Sequence, residues 1–441
     1  MKNIKHFILF AAVIVFFFIG CKKIIEKVPD TSISDQVALT TVEGLQAALI
    51  GTYSSLQNGD LYGGSIWTCG DMLANNVINS GQGNLVFEET QMLEKNMSPD
   101  NRLSASLWQN AYYAINMANS VLQAIPNVGP TPAVADQIRG ECLFIRALLY
   151  FDLVRYFGNP NTGLGVPLLT APSGIDAKPS RALIEDVYTQ IITDLKEAAL
   201  ILPESNNNRA TNWAAKALLS RVYFYHGDKQ ACIDISTEII DSKVFRLSDS
   251  IMDNFSTTVT PENIFSVMST TTNTTAGALG GYFRYASNGK FSPSSEVIKV
   301  FTFTGGMQDQ RYRNGFMIKD GKYFTTLYDD KYMNVPLIRL AEIYLNRAEM
   351  RYDLGQTGAL EDLNAVRNRA LLPDETVINP SKIYYERMKE LIFQGDNFFN
   401  QKRLQKASIS TKKLPWNSVR LMYLIPQREM DVNPNLVQNS E

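Results

Sequence analysis

The chain has 441 residues, of which 45% are hydrophobic and 20% charged, an ordinary composition for a globular protein with a large core. Its formal net charge is −2. No basic stripe runs along it, which argues against nucleic acid as a partner. With only two histidines and no phosphate-binding loop or dinucleotide fingerprint, the sequence predicts no metal site, no cofactor and no histidine-dependent catalytic triad.

Residues 1–20 have the pattern of a lipoprotein signal peptide. Lys2 and Lys5 precede an apolar run over residues 7–19, which is shorter than the roughly 20 residues that a membrane span needs. The run ends in Phe18-Ile19-Gly20-Cys21, which is typical of a lipobox. Cys21 is therefore the predicted lipidation site, and the alternative is the cleaved leader of a soluble secreted protein. Residues 21–30 are the predicted tether and residues 31–441 the folded domain.

Removal of this leader changes the charge and the inventory of reactive side chains. Without Lys2 and Lys5 the 42 basic side chains become 40 against 44 acidic ones, a net charge of −4. His226 is then the single histidine. If Cys21 carries a lipid, three cysteines remain, and this odd number implies no disulfide framework. Cys142 and Cys232 lie within helical patterns and are predicted to pack as small core side chains.

Helical periodicity alternates with irregular stretches along the mature chain. The pattern predicts helices over residues 40–57, 104–125, 133–158, 184–202, 212–226, 229–241, 336–354, 358–371 and 381–406. Four prolines within residues 159–181 predict a non-helical connector. Two inserts rich in Gly, Asn and aromatic residues, at about 58–99 and 242–330, are predicted to form loops and small hairpins. Residues 421–439 are predicted to be mostly extended.

The helix predicted over residues 133–158 carries apolar side chains on two opposite faces. Ile138, Leu149 and Tyr156 fall on one face, and Phe144 and Phe151 fall on the other. A helix with two apolar faces must be packed between neighbours. This is the requirement of a stacked helical array, in which each unit buries its face against the next one.

A short repeated sequence pattern indicates the same architecture. Gly227 is followed four residues later by Ala231, and Gly355 is followed four residues later by Ala359. In tetratricopeptide repeats, such a glycine reverses the chain and such an alanine lets two helices touch. The sequence thus favours a mostly α fold of tetratricopeptide-like helical pairs that support an irregular loop and hairpin lobe.

Two pairs of charged residues could be mistaken for catalytic groups. Glu386 and Glu390 lie one helical turn apart, and Arg339 and Glu342 lie three residues apart. Such spacing is typical of a solvated or salt-bridged helix face. Nothing nearby in the sequence supplies a nucleophile or a metal, so no catalytic residue is predicted.

The two inserts carry the predicted ligand site. Sugar rings present apolar faces edged by hydroxyls, so a site for them needs aromatic planes and short polar side chains. Long glycine-rich segments on a rigid scaffold are also where binding residues concentrate. For each candidate, the alternative is a structural role in packing an insert onto the helices. The candidates are Tyr62, Trp67, Asp71, Asn75 and Asn76 in the first insert and Tyr282, Arg284, Tyr285 and Asn288 in the second.

Several blocks occur in the same order as in the SusD/RagB family of outer-membrane lipoproteins, which the chain resembles. Residues 108–119 are similar to that family's W-x3-Y-x2-I-x2-A-N helix, and residues 140–147 to its GEA-x-FLRA block. Further blocks at residues 336–345, 386–391, 423–426 and 433–439 are similar to its P-x-I-R-x-A-E helix, its ER-x2-EL helix and its terminus. Residues 393–397 and 400–403 depart from the pattern, and Lys22-Lys23 replace the family's usual acidic run.

The resemblance implies a non-enzymatic, lipid-anchored protein of the outer membrane. It implies capture of a nutrient, commonly a glycan, and transfer to a SusC-like TonB-dependent transporter. Whether the protein faces the cell exterior or the periplasm stays open, because the acidic run is missing. Peptide-derived nutrients, a purely protein–protein adaptor role and a secreted hydrolase are the alternatives.

Overall fold

The computed structural model describes residues 39–174, 176–270, 274–407 and 413–440. The predicted signal peptide, Cys21 and the tether lie outside the described residues. The helices within the described part are α1 (Val42–Leu56), α2 (Ser65–Leu73), α3 (Phe87–Leu93), α4 (Arg102–Val128), α5 (Pro132–Phe157), α6 (Ile184–Ile201), α7 (Asn212–His226), α8 (Lys229–Asp241), α9 (Gly277–Phe283), α10 (Ser295–Thr304), α11 (Gln310–Gly315), α12 (Leu340–Asp353), α13 (Ala359–Arg369), α14 (Pro380–Glu390), α15 (Asp396–Arg403) and α16 (Gln427–Val432). The strands are β1 (Val77–Asn79), β2 (Asn263–Val267), β3 (Phe291–Pro293), β4 (Phe316–Lys319), β5 (Lys322–Thr325) and β6 (Val335–Arg339).

Helix α5 is packed between neighbours, which confirms the interpretation of its two apolar faces. Its residues are buried without a break from Gly140 to Val154. Helices α4 and α6 pack against it, and α1 and α7 also contact it. The Arg146 guanidinium donates to both carboxylate oxygens of Asp194 on α6, each at 2.8 Å, and to Asn119 Oδ1 on α4 at 2.8 Å. One buried cation thereby links three successive helices.

Glycines reverse the chain between paired helices. Helix α7 ends at Gly227, whose φ is +100° and whose N–H donates to the Tyr223 carbonyl at 2.9 Å. Gly355, with a φ of +65°, turns the chain between α12 and α13 in the same way. Side chains other than glycine rarely adopt this left-handed conformation. Helices α7, α8, α12 and α13 pack in sequence, so the tetratricopeptide-like pairing and the mostly α fold are confirmed.

The irregular lobe joins the two inserts through short antiparallel strand pairs. Strand β1 pairs with β3, with Val77 opposite Pro293, and β4 forms a hairpin with β5. Strand β2 pairs with β6, with register shifts between Asn263 and Ser266. Because β1 belongs to the first insert and β3 to the second, their pairing places the two inserts side by side.

Local predictions differ from the structure in several places. The insert at 242–330 contains helices α9, α10 and α11, and residues 421–439, predicted to be mostly extended, contain α16. The insert at 58–99 contains helices α2 and α3, and α2 is buried along its whole length. Gly70 on α2 allows close packing, since a Cβ at this position would lie 2.8 Å from the Gly395 Cα. Residues 336–339 belong to β6 because they pair with β2. The helix predicted over 381–406 is divided at residues 391–395, where Phe393 and Gly395 have positive φ.

A network of buried ion pairs fixes the lobe onto the helices. Glu390, at the end of α14, accepts hydrogen bonds from Arg339 at 2.6 Å, from Arg311 at 3.1 Å and from Arg369. Glu262 accepts from Arg339 at 2.8 Å and from Arg369 at 2.9 Å. Both carboxylates are fully buried. Burial alone would raise the pKa of Glu390, but the charges of Arg369, Arg339 and Arg311 outweigh it and lower the pKa to about 2.

The charged pairs considered in the sequence are structural. Glu386 pairs with Arg311 at 2.6 Å and with Arg367 at 3.1 Å. Because Glu386 is buried, it belongs to a salt-bridged helix face and not to a solvated one. Arg339 and Glu342 do not pair with each other. Glu342 instead accepts from Arg221 at 2.6 Å.

We expect Glu390→Gln to destabilise the protein strongly. The substitution leaves buried guanidinium groups without their shared counter-charge, which costs about 3–5 kcal/mol of unfolding free energy. Urea denaturation at pH 7 measures this loss. The matched control is Glu296→Gln on α10, because Glu296 forms an exposed pair with Lys299 and such pairs contribute about 0–1 kcal/mol.

The same variant gives a prediction for pH. The folded pKa of Glu390, about 2, lies below the unfolded value near 4.3. The stabilisation is therefore complete above the unfolded pKa and is lost as the pH falls toward the folded one. The difference in stability between wild type and Glu390→Gln should shrink between pH 5 and pH 2. A difference below about 1 kcal/mol at pH 7 would contradict a central role for this network.

Candidate functional site

Three turns of the lobe meet at one surface, which we call the three-turn surface. It consists of residues 80–83 after β1, residues 285–288, and residues 320–322 in the β4–β5 hairpin. The Ser80 N–H donates to the Lys290 carbonyl at 2.8 Å, and its hydroxyl donates to the Gly289 carbonyl at 2.6 Å. The Lys322 ammonium donates to the Ser80 carbonyl. Both inserts thus contribute to a single surface.

Tyr285 lies at the centre of these contacts. Its hydroxyl donates to Asp320 Oδ2 at 2.9 Å, and the ring packs edge-on against Phe324 with centroids 5.1 Å apart. The hydrogen bond to Asp320 and the charge of that carboxylate raise the pKa of Tyr285, and the Gln82 side chain also hydrogen-bonds to the phenol. Each of the three turns therefore contributes one side chain to this cluster.

Asn288 offers an amide that the protein does not use. It adopts the left-handed conformation with a φ of +55°, and its side chain is exposed. Among the described residues, none forms a hydrogen bond with the Asn288 side-chain amide. An amide has two donor hydrogens and an acceptor oxygen. It is free to bond a pair of ligand hydroxyls.

Large apolar side chains flank the three-turn surface. Ile78 on β1 is 51% exposed, Phe87 at the start of α3 is 72% exposed, and Ile318 on β4 is 59% exposed. Exposed apolar side chains beside polar ones are typical of a binding surface. The combination of phenol, amide, carboxylate and apolar faces suits a polyhydroxylated ligand with apolar ring faces.

The predicted residues of the first insert contact other parts of the protein. The Tyr62 hydroxyl donates to Asp152 at 2.5 Å, and Trp67 is buried on α2. Asn75 accepts from the Lys95 ammonium at 2.8 Å.

Asp71 and Asn76 form a buried pair near the break between α14 and α15. Asn76 donates to Asp71 Oδ1 at 2.6 Å, and the Gly395 N–H donates to Asp71 Oδ2 at 3.3 Å. Burial raises the pKa of Asp71 to about 7, although these two hydrogen bonds act to lower it. All five residues of the first insert make contacts within the protein, and their role in ligand binding stays a prediction.

The predicted residues of the second insert divide into two groups. Tyr282 stacks on Phe291 with centroids 5.9 Å apart, and Arg284 donates to the Ser287 hydroxyl at 2.7 Å and to the Asp329 carbonyl at 3.1 Å. Tyr285 and Asn288 lie on the three-turn surface. Their role in ligand binding, like that of Tyr282 and Arg284, stays a prediction.

Sequence reasoning did not identify Gln82, Asp320 or Lys322 as site residues. The sequence signal for these residues is the neighbouring glycine of each turn, since Gly81 and Gly321 both have positive φ. Turn chemistry locates a turn but does not show which turns meet. That information comes from the pairing of β1 with β3 and the packing of β3 beside β5.

Three further observations concern the described part of the chain. It contains no cluster of His, Cys, Asp and Glu side chains arranged to hold a metal ion. None of its helices combines the length and the apolar character needed to cross a membrane. Cys69, Cys142 and Cys232 are buried free thiols, consistent with the predicted packing role of the latter two.

Two family models match the chain. Residues 26–224 match a model described as "Starch-binding associating with outer membrane", and residues 300–441 match one described as "SusD family". The chain belongs to the SusD/RagB family. Its two SusD-matching regions contain the turns at 80–83 and 320–322, whereas the turn at 285–288 lies between them.

Relatives and solved structures agree with SusD membership. SusD-like protein P38 of Formosa agariphila is 27% identical over 234 residues, which span 52% of this chain and 44% of that relative. A SusD superfamily structure from Bacteroides thetaiotaomicron is 26% identical, with a TM-score of 0.79 over 91% of this chain and 100% of the other. A structure described as a laminarin-binding SusD-like protein is 22% identical, with a TM-score of 0.76, and covers 91% of this chain and 99% of its own.

We expect Gly83→Ala to separate two turns of the three-turn surface. A Cβ at this position would lie 2.5 Å from the Asn288 carbonyl oxygen and 2.9 Å from Lys290 Cγ, so the backbone must shift. Hydrogen exchange of the Ser80 amide, which donates to Lys290, should accelerate. The control is Gly281→Ala, because a Cβ there meets nothing within 4 Å. Unchanged exchange at Ser80 in the Gly83 variant would contradict the tight contact of these turns.

Proposed function

We propose that this protein is a lipid-anchored outer-membrane binding protein that captures glycan and transfers it to a SusC-like TonB-dependent transporter. The observation that carries the proposal is the three-turn surface, where a phenol, a free amide and a carboxylate from both inserts lie on a rigid helical scaffold. Membership of the SusD/RagB family, the starch-binding description of one matched model and the laminarin-binding neighbour of the same fold support glycan as the ligand class.

The contacts define how a sugar would be held. Tyr285 is half-buried and fixed by Asp320, so its ring loses little conformational freedom on binding. Asn288 supplies donors and an acceptor, and Asp320 retains an oxygen that the Tyr285 hydroxyl does not use. A sugar ring placed between the phenol and the amide would exchange its water contacts for directed hydrogen bonds.

Binding without turnover is the activity we assign. Hydrolysis of a glycoside by carboxylates needs two of them, one as proton donor and one as nucleophile or base, on either side of the bond. Glu386 and Glu390 are buried and paired with arginines. On the three-turn surface Asp320 is the one carboxylate, and it already accepts from Tyr285. These features favour a binding protein over a hydrolase.

The proposed anchor sets the reach of the domain. From Cys21 to Leu39, the first residue that the structure describes, the chain advances by eighteen residues. Such a segment spans at most about 60 Å when fully extended. A lipid on Cys21 would therefore keep the domain within reach of a transporter in the same membrane. Family membership supports transfer to that partner as part of the proposal.

We expect glycan binding to depend on the three-turn surface. Tyr285→Ala should lower the affinity of the mature protein for laminarin or starch oligosaccharides about tenfold or more, because an anchoring aromatic is lost. Asn288→Ala should lower it about three- to tenfold through lost hydrogen bonds. Isothermal titration calorimetry measures both effects, with product formation monitored in parallel.

The control variant is Tyr113→Ala on α4, since Tyr113 is 61% exposed but lies on the helical scaffold. It should bind as the wild type does. Equal affinities of the wild type and Tyr285→Ala would contradict the assigned site. Absence of any saturable glycan binding, with retention of a co-purifying protein, would favour the adaptor role, and binding of peptides alone would favour peptide-derived nutrients.

We also expect Cys21→Ser to remove the protein from the outer membrane. Without the thiol no lipid can be attached and the leader cannot be cleaved by lipoprotein signal peptidase, so the full-length variant should be lost from the outer-membrane fraction. Cell fractionation with detection of the domain measures this change. The matched control is Cys69→Ser, since Cys69 is a buried free thiol of the folded domain. If wild type and Cys21→Ser fractionate alike, the lipid anchor is wrong.

A further inference from the structure

A concavity of about 240 Å³ opens on the helical scaffold. We call it the Lys402 cleft, and its walls come from α5, α6, α7 and α15. The charged and aromatic residues that line it include Arg155, Tyr188, His226, Lys402, Arg403 and Trp416. Its volume lies below the roughly 300–1,000 Å³ typical of sites for drug-sized ligands, so it suits a single ring rather than a chain of sugars.

Most charges in the Lys402 cleft already have a partner of opposite sign. Arg155 pairs with Asp152, and Arg403 Nη2 lies 2.5 Å from Glu349 Oε1. The His226 ring nitrogens lie 2.7 Å from Asp228 and 2.9 Å from Glu185. These charges are neutralised within the protein and need no ligand to balance them.

Lys402 differs from the other cations of the cleft. Within the part of the chain that the structure describes, no carboxylate lies within ion-pair distance of its ammonium. The ammonium donates one long hydrogen bond, at 3.4 Å, to the Arg155 carbonyl and lies 5.4 Å from the Phe398 ring centroid. Burial, together with the charge of Arg155, lowers the pKa of Lys402 to about 8. A partly buried cation without a counter-ion is costly, and an anion in the cleft would relieve that cost.

Aromatic side chains form the rest of the wall. The Tyr188 ring lies against the His226 ring with centroids 4.8 Å apart, at an angle of 31°. Trp416 borders the same cleft and is half-buried. Aromatic faces bind apolar ring faces, which a simple inorganic anion does not have. The cleft therefore combines an ammonium, which can bind an anionic group, with aromatic faces, which can bind the apolar face of a ring.

We propose that the Lys402 cleft binds a carboxylate-bearing sugar residue, with the carboxylate on the Lys402 ammonium and the apolar face of the ring against Trp416. This site lies on the helices and uses no residue of the three-turn surface. It does not depend on glycan binding at that surface, and the two sites can be tested separately.

The expected pH dependence has a definite sign. Deprotonation of Lys402 above about pH 8 removes the ammonium, so affinity for the anion should fall between pH 7 and pH 9.5. The other groups that line the cleft are Arg155, Arg403, Glu185, His226 and the phenols of Tyr188 and Tyr225. Burial raises the pKa of Tyr188 to about 12 and raises that of Tyr225 further, so both phenols stay neutral in this range.

His226 is the other group of the cleft that could titrate near neutrality. Burial lowers its pKa, but hydrogen bonds to Glu185 and Asp228 outweigh burial and raise it above its ordinary value. His226→Gln separates the two contributions. The loss of affinity above pH 8 should persist in His226→Gln and disappear in Lys402→Gln.

The experiment is calorimetric titration of the mature protein with sodium glucuronate, glucose and sodium acetate at pH 7 and pH 9.5. We expect glucuronate to bind at pH 7 at least tenfold more tightly than glucose or acetate. Lys402→Gln should weaken glucuronate binding about tenfold or more, since hydrogen bonds to charged groups are lost. Lys402→Arg should restore most of it, and Trp416→Ala should weaken it without removing the charge preference. Circular dichroism verifies that each variant is folded.

Two matched controls accompany these variants. Lys299→Gln on α10 removes an exposed lysine and should leave glucuronate binding unchanged. Tyr285→Ala should also leave it unchanged, which distinguishes failure of this proposal from failure of the three-turn surface. Equal binding of glucuronate and glucose, or an unaltered affinity in Lys402→Gln, would overturn the proposal. Acetate binding as tight as that of glucuronate would overturn the assignment to a sugar.

Discussion

Two buried carboxylates, Glu262 and Glu390, hold the scaffold and the lobe together. Arg339 ends β6, Arg369 ends α13 and Arg311 lies on α11 in the lobe, and all three donate to these carboxylates. Each charge is costly to bury alone, so the network is favourable only when every element is in place. Hydrophobic packing would tolerate small shifts of α11 or α13, but bonds of fixed length and direction do not. The position of the lobe is thus set by electrostatics.

The stacked helices give this network a rigid base. Helix α5 is enclosed on both apolar faces, and the chain's last residues close its end. The Asn439 amide donates to the Phe157 and Tyr423 carbonyls, each at 2.8 Å, and Arg181 donates to Asn439 Oδ1 at 2.8 Å. Residues far apart in sequence thereby cap the C-terminal end of α5. Short turns mounted on such a base can hold side chains at fixed distances.

Local periodicity explains what the sequence could predict. Helices α5, α7 and α8 follow the 3.6-residue pattern, so their existence and nearly all their ends were evident from neighbours in sequence. The burial of Tyr62 was not, because its partner Asp152 lies 90 residues away. Gly70 looked like a loop residue, although its missing Cβ makes room for Gly395. Sequence patterns report on local structure. The exposure of Tyr285 and the burial of Tyr62 depend instead on which turns and helices meet.

Stability and the proposed ligand recognition therefore depend on different residues of this chain. The ion pairs and α5 are buried, so changes there cost folding energy, whereas an exposed turn residue such as Asn288 can change at little cost. The turn at 285–288 lies between the two regions that match family models, while the turns at 80–83 and 320–322 lie within them. Under the proposed function, recognition could change at Tyr285 and Asn288 while the surrounding turns and their scaffold are retained.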